Sequence, residues 1–310
     1  MPEVGKHLAA LPGVAYILAL QAIVFSAVAP GFLSPLNLTN IGTQATILLM
    51  LALPMTLVIL TEGLDISMGA VLTLCSVVLA WVLLRGGGIA LALAASVAMG
   101  LAFGLANGVL VSYLGMPPFV ATLGTLGMAQ GLALAITDGQ SIVGISAQVA
   151  FMRAGVLGVP LVLVFAVVAY LLVHGLLYYT RFGTYIFAIG GNREALALAG
   201  VRARAWYASV YAFAGLMIGI TGLLLVARTN SGHPTAAIGM EFDAIAAVAV
   251  GGTSFERGEG WLFGTLLGVL AVGVMRNGLN VAGVSSSLQV VAIGLLVIAA
   301  LLIDSLKKRA

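Results

Sequence analysis

Two very long stretches of this chain contain no Asp, Glu, Lys or Arg. One has 55 residues, between Lys6 and Glu62, and the other has 52, between Arg85 and Asp138. Since a transmembrane helix needs about 20 consecutive apolar residues, each stretch can hold two membrane spans and the turn between them. The remaining uncharged runs can hold one span each, or part of one: 66–84, 154–180, 205–227, 244–255, 260–275 and 277–303. The sequence therefore predicts ten membrane segments, of which 244–255 and 260–275 are half-helices or tilted, buried spans.

The composition excludes a soluble globular protein, because 62% of the residues are hydrophobic and only 7% are charged. Backbone polar groups in hydrocarbon must be satisfied internally, and the chain lacks the ten-residue alternation of a membrane barrel. We therefore predict an all-α, polytopic inner-membrane protein in contact with lipid, with residues 1–310 as one transmembrane domain. Forty glycines permit close helix packing. The steps from Gly100 to Gly104 and from Gly264 to Gly268 are interpreted as packing contacts.

The basic residues are distributed unevenly along the chain. With ten spans and a cytoplasmic N-terminus, nine of the thirteen lie in the cytoplasm, as the positive-inside rule requires: Lys6, Arg181, Arg193, Arg202, Arg204, Arg257, Lys307, Lys308 and Arg309. The other four lie outside or near the outer face: Arg85, Arg153, Arg228 and Arg276. Both termini are then cytoplasmic, and the net charge of +3 indicates topology and not nucleic-acid binding. The apolar stretch after Lys6 lacks a convincing cleavage site and is interpreted as a retained first helix.

A polar island at 181–205 separates two apolar blocks. Gly190, Gly191 and Asn192 are expected to break the preceding span, and Asn192 is a good N-cap for a short helix from Arg193 to about Ala199. Glu194 then lies in the first turn, where the helix dipole favours a carboxylate, and Gly200 supplies the C-terminal stop. The island is either an ordinary interfacial turn or a cytoplasmic helix that receives force from a soluble motor.

Three other strings interrupt the apolar sequence with polar residues, at 61–69, 107–124 and 239–254. The first contains Asp65 and Ser67, which either face a cavity, pair with a partner or lie at an interface, or else cap the third helix from a cytoplasmic turn. A weak internal repeat relates the two halves of the chain. Asn107-Gly108 recurs as Asn277-Gly278, and each of these dipeptides follows an acidic pair. The chain is therefore interpreted as two weakly repeated halves, with broken or half-helices.

These strings resemble the ribose-type (monosaccharide) ABC transporter permease family, which is related to the branched-chain amino-acid permeases. Glu194-Ala195-Leu196-x-x-x-Gly200 is similar to its E-A-A-x-x-x-G coupling loop, with leucine in place of the second alanine. The string at 61–69 resembles G-I-D-L-S-x-G, and 107–124 resembles N-G-x-L followed by P-P-F-I-x-T-L-G-T. The string at 239–254 resembles G-x-E-L-D-A-I-A-A-V-x-x-G-G-T-S almost position for position, with Phe242 for leucine. The turn at 255–260 is poorer in glycine than the family's.

The resemblance implies a permease subunit of a binding-protein-dependent ABC importer in the bacterial inner membrane. A separate cytoplasmic ATPase would dock on the coupling residues Asn192, Arg193, Glu194, Ala195 and Gly200. A periplasmic or extracellular sugar-binding protein would dock outside, where the polar segment 137–159 is long enough to receive it. A second permease chain is expected, in a homodimer or heterodimer, because an ATPase that closes around two nucleotides needs two docking points.

The translocation path is expected to use small polar residues near glycine-rich breaks, since sugars need hydrogen-bond partners and often an apolar face. The candidates are Asp65, Asn107, Thr122, Thr125, Thr253, Ser254 and Asn277, with Phe119 as a possible wall. For each hydroxyl the alternative is a hydrogen bond to a carbonyl of its own helix.

Catalytic and cofactor motifs are missing from the sequence. It has no G-x-x-x-x-G-K-[ST] loop, no H-E-x-x-H and no Cys/His cluster, so we expect no cofactor, no metal and no ATP hydrolysis by this chain. Two alternatives to a sugar permease are a branched-chain amino-acid permease and an intramembrane aspartyl protease using Asp65 and Asp243. The protease would need the two carboxylates close enough to share a proton.

Overall fold

The fold consists almost entirely of helices. A computed structural model describes residues 13–153, 155–156, 159–255 and 258–309, and this part of the chain contains twelve α-helices. They are α1 (Gly13–Val28), α2 (Pro35–Leu60), α3 (Met68–Leu84), α4 (Ile89–Ser112), α5 (Pro118–Thr137), α6 (Ser146–Val149), α7 (Leu161–Tyr179), α8 (Arg181–Leu198), α9 (Ala203–Thr229), α10 (Met240–Val250), α11 (Leu262–Val281) and α12 (Ser286–Arg309). A short 3-10 helix, Ala150–Arg153, precedes a two-stranded antiparallel hairpin of β1 (Gly155–Val156) and β2 (Val159–Pro160).

Six of these helices are long and apolar enough to cross a membrane: α2, α4, α5, α7, α9 and α11. Helices α1, α3 and the Ser286–Ala299 part of α12 are shorter but also apolar, and α10 has 11 residues. The prediction of an all-α, polytopic membrane protein is confirmed. Lys6 and Arg257, which the topology argument used, and the side chains of Arg153, Lys307, Lys308 and Arg309 lie outside what the structure describes.

Helix α2 forms the centre of the bundle. Its residues from Ala45 to Leu60 are all buried, and it contacts α7, α8, α9, α10 and α11. The hydroxyl of Thr56 lies 2.8 Å from that of Thr265 on α11 and also donates to the carbonyl of Ala52. A helix that is apolar on all sides is expected to be buried on all sides, and α2 is.

Helices α4 and α9 share the most extensive contact between two helices and run antiparallel. A Cβ atom added to Gly100 would lie 2.3 Å from the carbonyl oxygen of Gly215, and one added to Gly104 would lie 2.4 Å from that of Tyr211. The hydroxyl of Ser96 donates to the carbonyl of Gly219 at 2.7 Å. Gly264 and Gly268 approach the backbone of α10 in the same way. Both glycine steps are therefore packing contacts within one chain, as predicted.

Two non-helical connectors pack against the bundle, the first largely buried and the second only partly buried. The first, 61–67, joins α2 to α3, and the second, 230–239, runs back along α3 before α10 begins. Ala237 in the second connector donates its N–H to the hydroxyl of Thr73, 3.1 Å away on α3. Non-helical backbone is tolerated at membrane depth only where protein or water surrounds it. At these two connectors, neighbouring protein groups must therefore satisfy backbone that is not helical.

Two boundary predictions are wrong. The run 260–275 is not a half-helix, because α11 continues to Val281 through Arg276 and Asn277, whose side chains find partners inside the protein. Gly190 and Gly191 do not break the chain either, since both lie within helical backbone. The break occurs at Asn192, where φ is −161° and ψ is 95°.

Candidate functional site

The polar island forms a kinked helix with an exposed C-terminal part, residues 192–200, here called the coupling segment. The side-chain Oδ1 of Asn192 accepts a hydrogen bond from the N–H of Ala195 at 2.8 Å, as an N-cap does. The segment ends at Gly200, whose φ of +79° is a left-handed conformation that favours glycine. The predicted cap and stop are confirmed, and the role of the segment in coupling stays a prediction.

The coupling segment is exposed on one side and attached to the bundle on the other. Leu198 is 89% exposed, and Arg193, Glu194 and Ala195 are also exposed. The guanidinium of Arg193 lies over the ring of Tyr207 on α9, 4.7 Å from its centroid, in a cation–π contact. At the kink, a Cβ atom on Gly190 would lie 2.0 Å from the carbonyl oxygen of Leu60, at the end of α2. Force on the segment would therefore be transmitted directly to α2 and α9.

A buried polar network surrounds the first connector. Asp65 is 2% exposed, and its Oδ1 accepts hydrogen bonds from the N–H of Ser67 at 2.9 Å and from its hydroxyl at 2.5 Å. The amide nitrogen of Asn107 donates to Ser67 Oγ at 3.0 Å and to Asp65 Oδ2 at 3.4 Å. The hydroxyl of Thr125 donates to Asn107 Oδ1 at 2.7 Å. We call these four residues, with Thr122, the Asp65 network.

Thr122 completes the Asp65 network from α5. Its hydroxyl accepts the N–H of Ile66 at 3.3 Å and donates to Pro118 in its own helix at 2.9 Å. The network thus joins the first connector to α4 and α5, two helices that meet at the turn between Ser112 and Pro118. Ser67 makes no side-chain cap to α3. Among the interpretations of Asp65 and Ser67, pairing with polar partners inside the protein agrees better with the structure than capping of α3 by the Ser67 side chain.

Three of the other path candidates lie apart from the Asp65 network. Thr253 and Ser254 are in the turn after α10, where Ser254 donates its N–H to the carbonyl of Glu259 at 2.8 Å. Asn277 and Asn37 exchange amide hydrogen bonds of 2.9 and 3.0 Å. Phe119, at the start of α5, has a 53% exposed side chain, and its carbonyl lies 3.4 Å from the hydroxyl of Thr122. The structure therefore brings together Asp65, Asn107, Thr122 and Thr125, with Phe119 beside them, and it places Thr253, Ser254 and Asn277 elsewhere.

Sequence reasoning missed an ion pair that lies inside the bundle. Arg276 Nη2 lies 2.7 Å from Asp243 Oδ2 and donates to Oδ1 at 2.9 Å. The topology argument places Arg276 outside or near the outer face and does not identify its partner. Because Asp243 pairs with Arg276 and Asp65 bonds to Ser67 and Asn107, the two aspartates share no hydrogen bond. This arrangement does not fit an aspartyl protease, whose two acids share a proton.

Comparison with known proteins gives one family and several similar relatives. The family described as "Branched-chain amino acid transport system / permease component" matches residues 37–301. The chain is 40% identical to the ribose import permease protein RbsC of Bacillus subtilis, over 94% of this chain and 91% of that protein. It is 35% identical to the D-allose transport system permease protein AlsC of Escherichia coli, over 95% and 91%. It is 33% identical to the galactose/methyl galactoside import permease protein MglC of Haemophilus influenzae, over 94% and 93%. No solved structure matches the chain.

Proposed function

This chain belongs to the family described as "Branched-chain amino acid transport system / permease component", and we infer that it is the membrane subunit of an ABC importer for a monosaccharide. The observation that carries this conclusion is the 40% identity to a ribose permease over 94% of the chain. Relatives named for allose and galactose support the same substrate class. The family description names branched-chain amino acids, which stay the alternative substrate. The chain is a transport subunit, and ATP is hydrolysed by a separate one.

We propose that the chain crosses the inner membrane ten times, with α8 on the cytoplasmic side and both termini in the cytoplasm. Nine apolar helices, α1 to α5, α7, α9, α11 and α12, together with the 11-residue α10, support this count. In this topology α2–α5 and α9–α12 form two repeated halves of opposite orientation. Each half begins with a long helix, followed by a non-helical connector and three further helices. Transporters with such repeats place their substrate sites near the broken helices.

We propose that the coupling segment receives the ATPase. Its support is exposure combined with attachment: Leu198 offers an apolar side chain to a partner, while Arg193 and Gly190 contact α9 and the end of α2. The end of α2 leads directly into the connector that carries Asp65. A sugar-binding protein outside the membrane and a second permease chain are the other proposed partners.

We also propose that the Asp65 network belongs to the translocation path, together with Thr253, Ser254, Asn277 and Phe119. The support is that intramembrane carboxylates usually mark a substrate or ion pathway. In this conformation the polar groups of the network satisfy one another, so it would form the closed, cytoplasmic side of the path. Movement of the first connector would expose the same groups to a sugar.

Reconstituted transport tests the proposed function. The tagged chain, isolated from its native membrane with its ATPase, is placed in liposomes together with the cognate binding protein. We expect ATP-dependent uptake of at least one of ribose, allose and galactose, and no uptake of leucine. A non-hydrolysable ATP analogue is the control and should abolish uptake. Uptake of leucine without uptake of any sugar would overturn the assignment in favour of the amino-acid alternative.

A further inference from the structure

A second group of polar side chains lines a cavity. This group shares no residue with the Asp65 network. The cavity has a volume of about 760 Å³ and lies between α2, α10, α11 and α12. This volume is within the range of about 300–1,000 Å³ that is typical of small-molecule sites. The polar side chains that line it are Asp243, Arg276, Arg228 and Gln44, and the rest of its wall is mainly apolar.

The ion pair at the cavity wall is held inside the bundle and retains free hydrogen-bond donors. Arg276 lies in α11 five residues before its end, and Asp243 lies in the first turn of α10. Asp243 accepts a hydrogen bond from Nη2 of the guanidinium, whereas Nε is buried without a hydrogen-bond partner in the described structure. The Arg276 side chain is still 40% exposed. A guanidinium has five N–H donors, so this one can bind a ligand without releasing Asp243.

Three charged side chains line the cavity, and two of them form the ion pair. Arg228 and Arg276 contribute two positive charges, and Asp243 contributes one negative charge, which pairs with Arg276. Glu241 does not line the cavity, because its carboxylate accepts the N–H of Gly239 and lies against Gly69 on α3. The choice of a neutral ligand rests on the proposed function, since ribose, allose and galactose are neutral sugars. Charged residues inside membrane segments commonly pair with each other and mark substrate pathways.

The side chains that line the cavity offer the groups that a sugar can bind, which are hydrogen-bonding groups beside apolar surface. A sugar ring presents hydroxyl groups at its edge, which both donate and accept, and C–H groups on its faces. The Asp243–Arg276 pair offers an acceptor next to donors, while Phe242, Ile245 and Ile293 offer apolar surface. The cavity also lies where α10 begins after the second connector, which is the kind of break at which transporters bind substrate.

We propose that this cavity is a transient binding site for a neutral monosaccharide in the outer half of the membrane, with Asp243 and Arg276 as its hydroxyl-binding pair. The proposal rests on the proposed function of sugar import. It adds a site whose residues are separate from the Asp65 network. A sugar that leaves its binding protein would occupy this cavity first and the network afterwards.

A cavity-filling variant tests the site in the reconstituted system. A Cβ atom added to Gly294, which lines the cavity, meets open space, so Gly294→Phe should fill the cavity without disturbing the backbone. The matched control is Gly131→Phe, because Gly131 is also an exposed helical glycine with open space but lies on α5, away from the cavity. We expect Gly294→Phe to lower sugar uptake about tenfold or more, equivalent to about 1.4 kcal/mol, and Gly131→Phe to leave it unchanged.

Protection of a cysteine reports occupancy directly and does not depend on turnover. Ile245→Cys is made together with Cys75→Ser, which removes the buried native thiol, and Leu132→Cys on α5 is the exposed control. The transported sugar should slow reaction of Cys at position 245 with a small polar thiol reagent, and it should not slow reaction at position 132. Adding Arg276→Lys keeps the charge but removes guanidinium donors, and should weaken this protection about tenfold. A sugar phosphate should protect less than the neutral sugar.

The outcomes separate this site from the proposed function. Suppose that the unmodified chain imports a sugar. If Gly294→Phe then imports it equally well, or if the sugar does not protect the cysteine at position 245, the site assignment is wrong and the importer assignment stands. Stronger protection by a sugar phosphate than by the neutral sugar would overturn the choice of a neutral ligand. If the unmodified chain imports no sugar, the function and the site fall together.

Discussion

At the scale of single residues, the Asp65 network shows how a carboxylate is accommodated deep in an apolar bundle. Burying a charged or polar group costs free energy unless hydrogen bonds replace its water. Asp65 obtains them from Ser67 and Asn107, and Asn107 is itself held by Thr125. Because each member satisfies another, loss of one should affect the rest.

Asn107→Ala should therefore destabilise the protein by about 1–3 kcal/mol, since it removes one buried hydrogen-bond partner from each of Ser67, Asp65 and Thr125. The measurement is thermal unfolding of the detergent-purified protein. Thr39→Ala is the control, because the exposed Thr39 hydroxyl donates only to Pro35 in its own helix. Equal melting temperatures for the two variants would show that the network contributes nothing to stability.

At the scale of elements, the coupling segment combines a well-formed local structure with an exposed surface. Asn192 caps it, Gly200 ends it, and Arg193 attaches it to α9 through Tyr207. A segment used for docking must keep its conformation without a hydrophobic core of its own. Here the cap at Asn192 and the stop at Gly200 fix the ends of the helix. The ATPase would then push against a rigid element and not against a mobile loop.

Glu194→Lys and Gly200→Trp should abolish transport and substrate-stimulated ATPase activity while leaving membrane insertion intact. The first reverses an exposed charge, and the second places a bulky residue at a left-handed backbone position. Asn192→Ala should weaken coupling by removing the cap, at a local cost of about 1 kcal/mol.

Asn192→Ser is the matched control for the coupling segment, because serine is also a good N-cap and should restore activity that alanine loses. Uptake and ATPase rates are measured on the same purified complexes. Normal uptake by both Glu194→Lys and Gly200→Trp would remove the coupling assignment.

The helices were predictable where apolar runs ended at charges or at caps, and less so where a distant partner decided the boundary. The runs 66–84 and 205–227 correspond closely to α3 and α9. The run 260–275 was predicted to be short because Arg276 was assumed to end it. Inside α11, Arg276 pairs with Asp243, which lies 33 residues earlier in the chain. No local pattern reveals such a pairing.

The candidate site was predictable in part, for the same reason. Polar residues next to glycine-rich breaks correctly indicated Asp65, Asn107, Thr122 and Thr125, which the fold brings together. Asn277 has the same local signal but pairs with Asn37, 240 residues away, in a separate contact. Composition and spacing identify residues that need a partner in a membrane, and only the fold identifies the partner.

At the scale of the whole molecule, the two proposed halves have different tasks. The half with α2–α5 contains the Asp65 network, and the half with α9–α12 contains the Asp243–Arg276 pair and its cavity. The end of α2 and the start of α9 both touch the region of the coupling segment, through Gly190 and Arg193. A shift of this segment would therefore act on both halves at once, which a coupled path requires.

The last prediction concerns assembly. The described part of the chain offers one coupling segment, whereas an ATPase that closes around two nucleotides needs two docking points. We therefore expect two permease chains in each active complex, either two copies of this chain or this chain with a homologous one. Native mass spectrometry of the complex, isolated in a mild detergent, counts the chains and separates these two cases. Glu194→Lys in only one of two tagged copies should reduce transport as well, because both docking points must move together. An active complex that contains a single permease chain would contradict the expectation and would require a second docking surface elsewhere on the chain.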